Sequence, residues 1–212
     1  VTDISPVIEV FADIWCPFTH VGLRMAAAQR DRSARPDTVI VVRAWPLELV
    51  NGAPMDAQKT CTNAAALRAQ VAPDLFAGLD ADHFPTSTLE ALALVARAYR
   101  TDLRLGEQAS FAVRDALFER GVDIADPAVL AAIAKSLGVP LPDDADRETV
   151  RADWEDGCRR GVVGSPHFFA AGTDMFCPSL QISKDPVTGL AVHADATRLQ
   201  QFLAQVIPVA QP

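Results

Sequence analysis

Two kinds of hydrophobic pattern divide the chain. Residues 7–13 (VIEVFAD) and 38–45 (TVIVVRAW) are β-rich runs without a helical period, and each predicts a sheet strand. Between them, residues 17–32 carry Val21, Leu23, Met25 and several alanines behind a proline. That is the composition of a helix beginning at Pro17, because the N–H that proline lacks is unpaired in a first turn anyway. Strand, helix and strand in this order predict a β-α-β unit with parallel strands and a right-handed crossover.

From about residue 54 to 144 the pattern becomes Ala- and Leu-rich with helical periodicity and no strand-like run. Thr86-Ser87-Thr88 precede a helix over 89–99, Gly121 follows one over 106–120, and Asp126-Pro127 open one that ends near Gly138. A further helix is expected within 61–75, and Pro140, Pro142 and Asp143-Asp144 mark the return linker. An amphipathic helix over 147–160 then runs into Gly161-Val162-Val163-Gly164-Ser165-Pro166 and a strand starting at His167-Phe168-Phe169. A hairpin turn at 171–174, a return strand through Met175-Phe176-Cys177, a loop carrying Pro186 and Gly189, and a closing helix over 194–206 complete the chain. The order predicts an α/β protein: a thioredoxin fold with an inserted all-helical domain. Residues 1–53 and 145–212 would form the thioredoxin-like domain and 54–144 the insert.

Half of the 212 residues are hydrophobic and 22% are charged, enough for one well-buried core plus the insert. The formal charge of −8, with Lys and Arg scattered among acids, argues against a nucleic-acid partner. No run approaches the ~18 apolar residues of a membrane span, and the start lacks a basic region followed by an apolar stretch. A cytoplasmic location is the expectation. The four cysteines, Cys16, Cys61, Cys158 and Cys177, are widely spaced; they predict neither a metal site nor a disulfide framework. One reactive cysteine among reduced, structural ones is expected, with Cys61 and Cys158 read as structural.

The candidate chemistry lies at Trp15-Cys16-Pro17-Phe18-Thr19-His20, where a strand gives way to a helix. It has the form of a Cys-x-x-Cys redox site with the second thiol replaced by Thr19. A hydroxyl can hold a thiolate by hydrogen bonding but cannot close a disulfide. At a helix N-terminus Cys16 would face unpaired N–H groups and the positive end of the helix dipole, so its pKa is expected to fall below the usual ~8.5. Thr19 can direct its hydroxyl at the sulfur or back to its own helix. His20, four residues on, either tunes the sulfur or is an ordinary helix histidine. Cys177 is either a displaced resolving thiol or a structural cysteine held too far away by an intervening strand.

The Cys16-Pro17-Phe18-Thr19 junction together with Gly161-Val162-Val163-Gly164-Ser165-Pro166 resembles the DsbA-like branch of the thioredoxin superfamily, near the 2-hydroxychromene-2-carboxylate isomerases and kappa-class glutathione transferases. The resemblance implies a cis Ser165-Pro166 bond facing Cys16, with Pro17, Phe18, Ser165 and Pro166 at the substrate-binding edge. It also shows departures. Dithiol members carry cysteine where Thr19 stands, and the isomerases and transferases generally carry serine where Cys16 stands. A buried acid found six residues before the cysteine in many oxidoreductases is replaced here by Val10, leaving Asp13 or Glu9 as substitutes. The expected function is a monothiol thiol-disulfide oxidoreductase with Cys16 as nucleophile, resolved by an external thiol. The alternatives are a thiol-dependent isomerase or transferase, and a redox-inactive binding protein of the same fold. No tightly bound cofactor is implied; glutathione or another low-molecular-weight thiol is the expected co-substrate, a small thiol or a disulfide-containing molecule the partner, and a homodimer the expected assembly if there is one.

Overall fold

The computed structural model describes residues 7–185 and 189–207. Strand β1 (Val7–Ala12) pairs parallel with β2 (Val39–Ala44), Val7 opposite Val39 through Ala12 opposite Ala44, and helix α1 (Pro17–Asp31) forms the crossover. On the other side of β1 lies antiparallel β3 (His167–Ala170), followed by β4 (Thr173–Phe176), so the sheet order is β2-β1-β3-β4. The β3–β4 turn places Ala171 at φ 50° and Gly172 at φ 80°, the pair of left-handed residues that a tight hairpin of this twist requires.

Pleating sends alternate side chains to opposite faces of the sheet. Ile8, Val10, Ile40, Val42 and Phe168 pack under Leu23 and Ala26 of α1 and under Leu199, Phe202 and Leu203 of helix α8 (Ala196–Leu203). Phe11, on the other face, packs with Trp45 and Val162 beneath helix α7 (Asp144–Arg159). Gly157 permits that approach, since a Cβ there would stand 2.6 Å from the Trp45 ring.

Between β2 and α7 run helices α2 (Leu47–Asn51), α3 (Ala57–Gln70), α4 (Leu89–Thr101), α5 (Leu103–Phe118) and α6 (Pro127–Leu137). Their ends follow local chemistry. Asp102 caps Arg104 and Leu105, Asp126 caps Ala128, Gly138 closes α6 at φ 67°, and Asp143 and Asp146 form a reciprocal capping box on α7. The largest apolar cluster joins this helical segment to the sheet domain, with Ile14, Trp15, Val21 and Ala44 packed among Leu92, Leu94, Val113 and Phe118. Helices from two sides also close the outer edge of β2. Ile40 N–H donates to Glu107 Oε2 at 2.9 Å, Val42 N–H to Tyr99 Oη at 2.8 Å, and Ala44 N–H to Asp153 Oδ2 at 2.9 Å.

The arrangement is the predicted thioredoxin fold. Three details depart from the sequence reading. The five-residue α2 is too short to show a period, and α3 starts at Ala57 because Asp56 caps Lys59. The expected loop after β4 is instead a hairpin of β5 (Leu180–Asp185) and β6 (Gly189–Ala194), docked on α3 through Gln70, which donates to Leu190 O at 3.0 Å and accepts Val192 N–H at 2.9 Å. Pro186, the other marker of that loop, lies outside the described residues.

Candidate active site

After β1 the chain turns through Ile14 and Trp15 and reaches Cys16 at the N-cap of α1, with φ −80° and ψ 111° and Pro17 as the first helical residue. Facing it is the Ser165–Pro166 bond, which is cis. Cys16 Sγ donates to Ser165 O at 3.1 Å. Ser165 Oγ accepts the Asp13 N–H at 2.9 Å and shares a 2.7 Å hydrogen bond with Thr19 Oγ1. Gly22 of α1 lets the facing loops lie close, because a Cβ there would meet Ser179 Oγ at 2.9 Å and Pro166 at 3.5 Å.

The sulfur is not the activated thiolate expected at a helix N-terminus. Cys16 is 4% exposed, and burial pushes its thiol up, against the pull of hydrogen bonds from the Thr19 hydroxyl and N–H and from Ser165; the Asp13 carboxylate pushes it further up. The helix N-terminus is present, but withdrawal from water outweighs it, and the S–H group is spent as a donor. The expectation of a lowered pKa is thereby corrected.

Of the two acids that could replace Val10, Asp13 is the buried one. Its carboxylate accepts Ile14 N–H at 2.6 Å, Leu47 N–H at 2.5 Å and the Thr88 hydroxyl at 2.8 Å. Burial nevertheless raises it to about 6. Glu9 instead pairs with Arg43 and Arg160, each at 2.9 Å. Thr88 stands at the N-cap of α4 without capping it, its hydroxyl committed to Asp13.

His20 turns toward the helical segment. Its Nε2 lies 2.6 Å from Glu119 Oε1, and its ring packs between Phe76 and Phe118, with centroids 5.3 and 4.7 Å away. Burial holds it well below the usual imidazole pKa and therefore neutral. His20, Asp115 and Glu119 bring potential ligand atoms within 4.8 Å of one another, but Arg24 pairs with Asp115, and Glu119 also receives the Phe76 and Ala77 N–H groups. These partners leave the carboxylates already occupied.

Pro17 is buried in the first turn, and half-buried Phe18 packs on the large cluster. Cys177 follows β4 at φ 46°, buried, its N–H donating to Pro166 O at 2.9 Å. Burial pushes its thiol up to about 12, and β3 lies between it and β1, which carries Cys16 at its end. Cys61 is half-buried on α3. Cys158, read from sequence as structural, is exposed on α7 and so has no packing role. His167 is a strut: its Nδ1 accepts Val163 N–H at 3.2 Å and its Nε2 pairs with Asp174 at 2.8 Å.

Two contributors escaped the sequence reading. One is the Ser165 hydroxyl, which joins Asp13 to Thr19 where the sequence placed the residue only at the substrate-binding edge. The other is Arg114 of α5, 0% exposed, whose Nη1 donates to Ser110 O and Oγ and whose Nη2 donates to Asp13 O at 3.1 Å. Its signal was available: an arginine on the apolar face of a helix, one turn from Ser110 and beside Val113 and Leu117.

The fold has relatives among solved structures. The cytosolic disulfide reductase DsbM from Pseudomonas aeruginosa aligns at TM-score 0.61 and 15% identity, over 94% of this chain and 97% of that one. A probable DsbA oxidoreductase from Streptomyces coelicolor aligns at TM-score 0.64 and 19% identity, over 98% and 92%. A 2-hydroxychromene-2-carboxylate isomerase aligns at TM-score 0.56 and 14% identity, over 80% and 88%. None of the curated protein sequences matches the chain. The family model of the DSBA-like thioredoxin domain matches residues 7–184, and the chain belongs to that family.

Proposed function

We propose that the protein is a monothiol thiol-disulfide oxidoreductase with Cys16 as its nucleophile. The observation that carries this reading is the Cys16 sulfur at the start of α1, 3.1 Å from the carbonyl of a cis-proline loop, with a hydroxyl and not a second thiol at position 19. The Ser165 carbonyl that holds the S–H is also the group an extended disulfide or a glutathione-type molecule would engage by strand-like pairing. A substrate that takes this carbonyl releases the sulfur, so substrate arrival and thiol activation are linked. The thiolate then attacks one sulfur of the disulfide, forming a Cys16–substrate mixed disulfide and expelling the other half as a thiol. An external thiol attacks the substrate sulfur of that adduct, leaves as a new disulfide with the substrate and returns Cys16. The four free cysteines suit a reducing compartment, in keeping with a cytoplasmic location.

A second reading is a thiol-dependent isomerase or transferase. It is favoured by the upward push on the Cys16 thiol, since a neutral S–H can donate to the thiolate of a bound cofactor as a serine hydroxyl would. DsbM has been solved with glutathione, which suits either reading. The deciding experiment is reduction of a small disulfide with added glutathione by wild type and Cys16→Ser, with mass spectrometry of trapped adducts. The oxidoreductase reading expects a mixed disulfide between Cys16 and one half of the small disulfide, and loss of turnover in the variant. Turnover that survives Cys16→Ser would sink it in favour of cofactor-thiol chemistry.

A further inference from the structure

Arg114 is a fully buried cation whose hydrogen bonds among the described residues go to uncharged oxygens: Ser110 O at 3.0 Å, Ser110 Oγ at 2.7 Å and Asp13 O at 3.1 Å. Its Nε, also buried, makes none among the described residues. Holding a guanidinium out of water with only neutral acceptors in contact is costly, and strongly perturbed buried charges cluster at functional sites. The groups that favour its charged form act across space, Asp13 first and Cys16 among them. The anchor at Asp13 O fixes the range. Cys16 is three residues on, so its Cα lies within roughly 11 Å of that of Asp13 even for an extended chain and closer across the turn at Ile14 and Trp15, and both side chains are buried.

We propose that Arg114 is a positioning residue for the chemistry at Cys16, supplying from α5 the buried counter-charge of the thiolate that forms when the Cys16 proton leaves. This rests on Cys16 as the reacting group. The other groups facing the sulfur divide in sign. The Asp13 carboxylate opposes the thiolate, and the Thr19 hydroxyl and N–H and Ser165 support it. Cys177 stays a neutral thiol, and His20 stays a neutral imidazole bound to Glu119. Burial pulls Arg114 down only to about 10, so it is the one of these groups that brings a positive charge at neutral pH. The helical segment would thus take part in the reaction electrostatically, through a residue that does not touch the substrate.

The test is the thiolate titration of Cys16, followed by ultraviolet absorbance and by alkylation rate, with Cys16→Ser as the blank. Arg114→Met should raise the apparent pKa by about one unit and slow alkylation at neutral pH roughly tenfold. Arg114→Lys should restore most of the loss. Arg114→Gln, which keeps amide donors for Ser110 and Asp13 but carries no charge, serves where Arg114→Met fails to fold, and should behave as the methionine variant does. A folded Met or Gln variant with unshifted titration overturns the proposal. Survival of disulfide reduction in Cys16→Ser would instead defeat the oxidoreductase reading and leave the Arg114 titration to be judged separately.

Discussion

The hydroxyls of Thr19 and Ser165 share one task. Ser165 Oγ accepts the Asp13 N–H and shares a hydrogen bond with Thr19 Oγ1 in which either hydroxyl can donate, so one proton of the pair is left for the sulfur. Thr19→Val keeps the shape and removes the relay. It should slow the reaction of Cys16 with a small disulfide about tenfold, roughly the loss of one hydrogen bond to a charged group, as stopped-flow kinetics would show. Asp13 has a different signature. Its pKa of about 6 in the folded chain, against 3.8 ordinarily, means that the native state holds this proton more tightly than the unfolded chain. Asp13 therefore stabilises most below pH 3.8, and about 3 kcal/mol is lost as pH rises through 6. His20 is shifted downward, so the unfolded chain holds its proton more tightly, and its effect on stability grows as pH rises toward the ordinary imidazole value. The two slopes oppose each other. Denaturant melts at pH 4, 5 and 6 should show stability climbing more steeply with pH in Asp13→Asn than in wild type. Cys16, Thr19 and Ser165-Pro166 were legible because prolines mark their junctions. The depth of the site was not, because Thr88 and Arg114 reach the neighbouring Asp13 from distant sequence. Of the two readings of His20, the contact with Glu119 favours the helix histidine, and for a geometric reason: four-residue spacing aligns side chains inside a helix, whereas Cys16 is an N-cap with extended backbone.

Among the elements, those with chemical punctuation could be read in advance: Asp126-Pro127 and Gly138 bound α6 as expected. The β5–β6 hairpin could not be, because most of its side chains lie in water and it is placed by Gln70 of α3. The contact between α4 and α5 offers a sharp test. A Cβ at Gly106 would fall 2.0 Å from the Tyr99 ring, and Tyr99 both donates to Ile40 O and accepts Val42 N–H. Gly106→Ala would gain about 1 kcal/mol of helix propensity. Displacing a packed aromatic and uncovering β2 costs more, so a net loss of about 1–3 kcal/mol is expected in chemical denaturation. Tyr99→Phe should lose a comparable amount with the ring still in place, by leaving the Val42 N–H unpaired.

Over the whole molecule, we propose the division into residues 1–53 with 145–212 and residues 54–144 as one of chain order and not of energy. Trp15 stacks on Phe84 at 5.9 Å within a cluster to which both parts contribute. Tryptophan fluorescence and circular dichroism should accordingly report one coincident unfolding transition, and two separated transitions would refute the proposal. The closed edge of β2 has a consequence of its own. Its outward donors at residues 40, 42 and 44 are taken by Glu107, Tyr99 and Asp153, whereas β4 at the opposite edge is a mostly exposed strand. The sheet is consequently polar in its capacity for growth: recruitment of another strand, from a client polypeptide or a sister molecule, is directed to the flank bearing Phe176 and Cys177, beside the cis-proline loop, so that docking and chemistry would compete for the same approach.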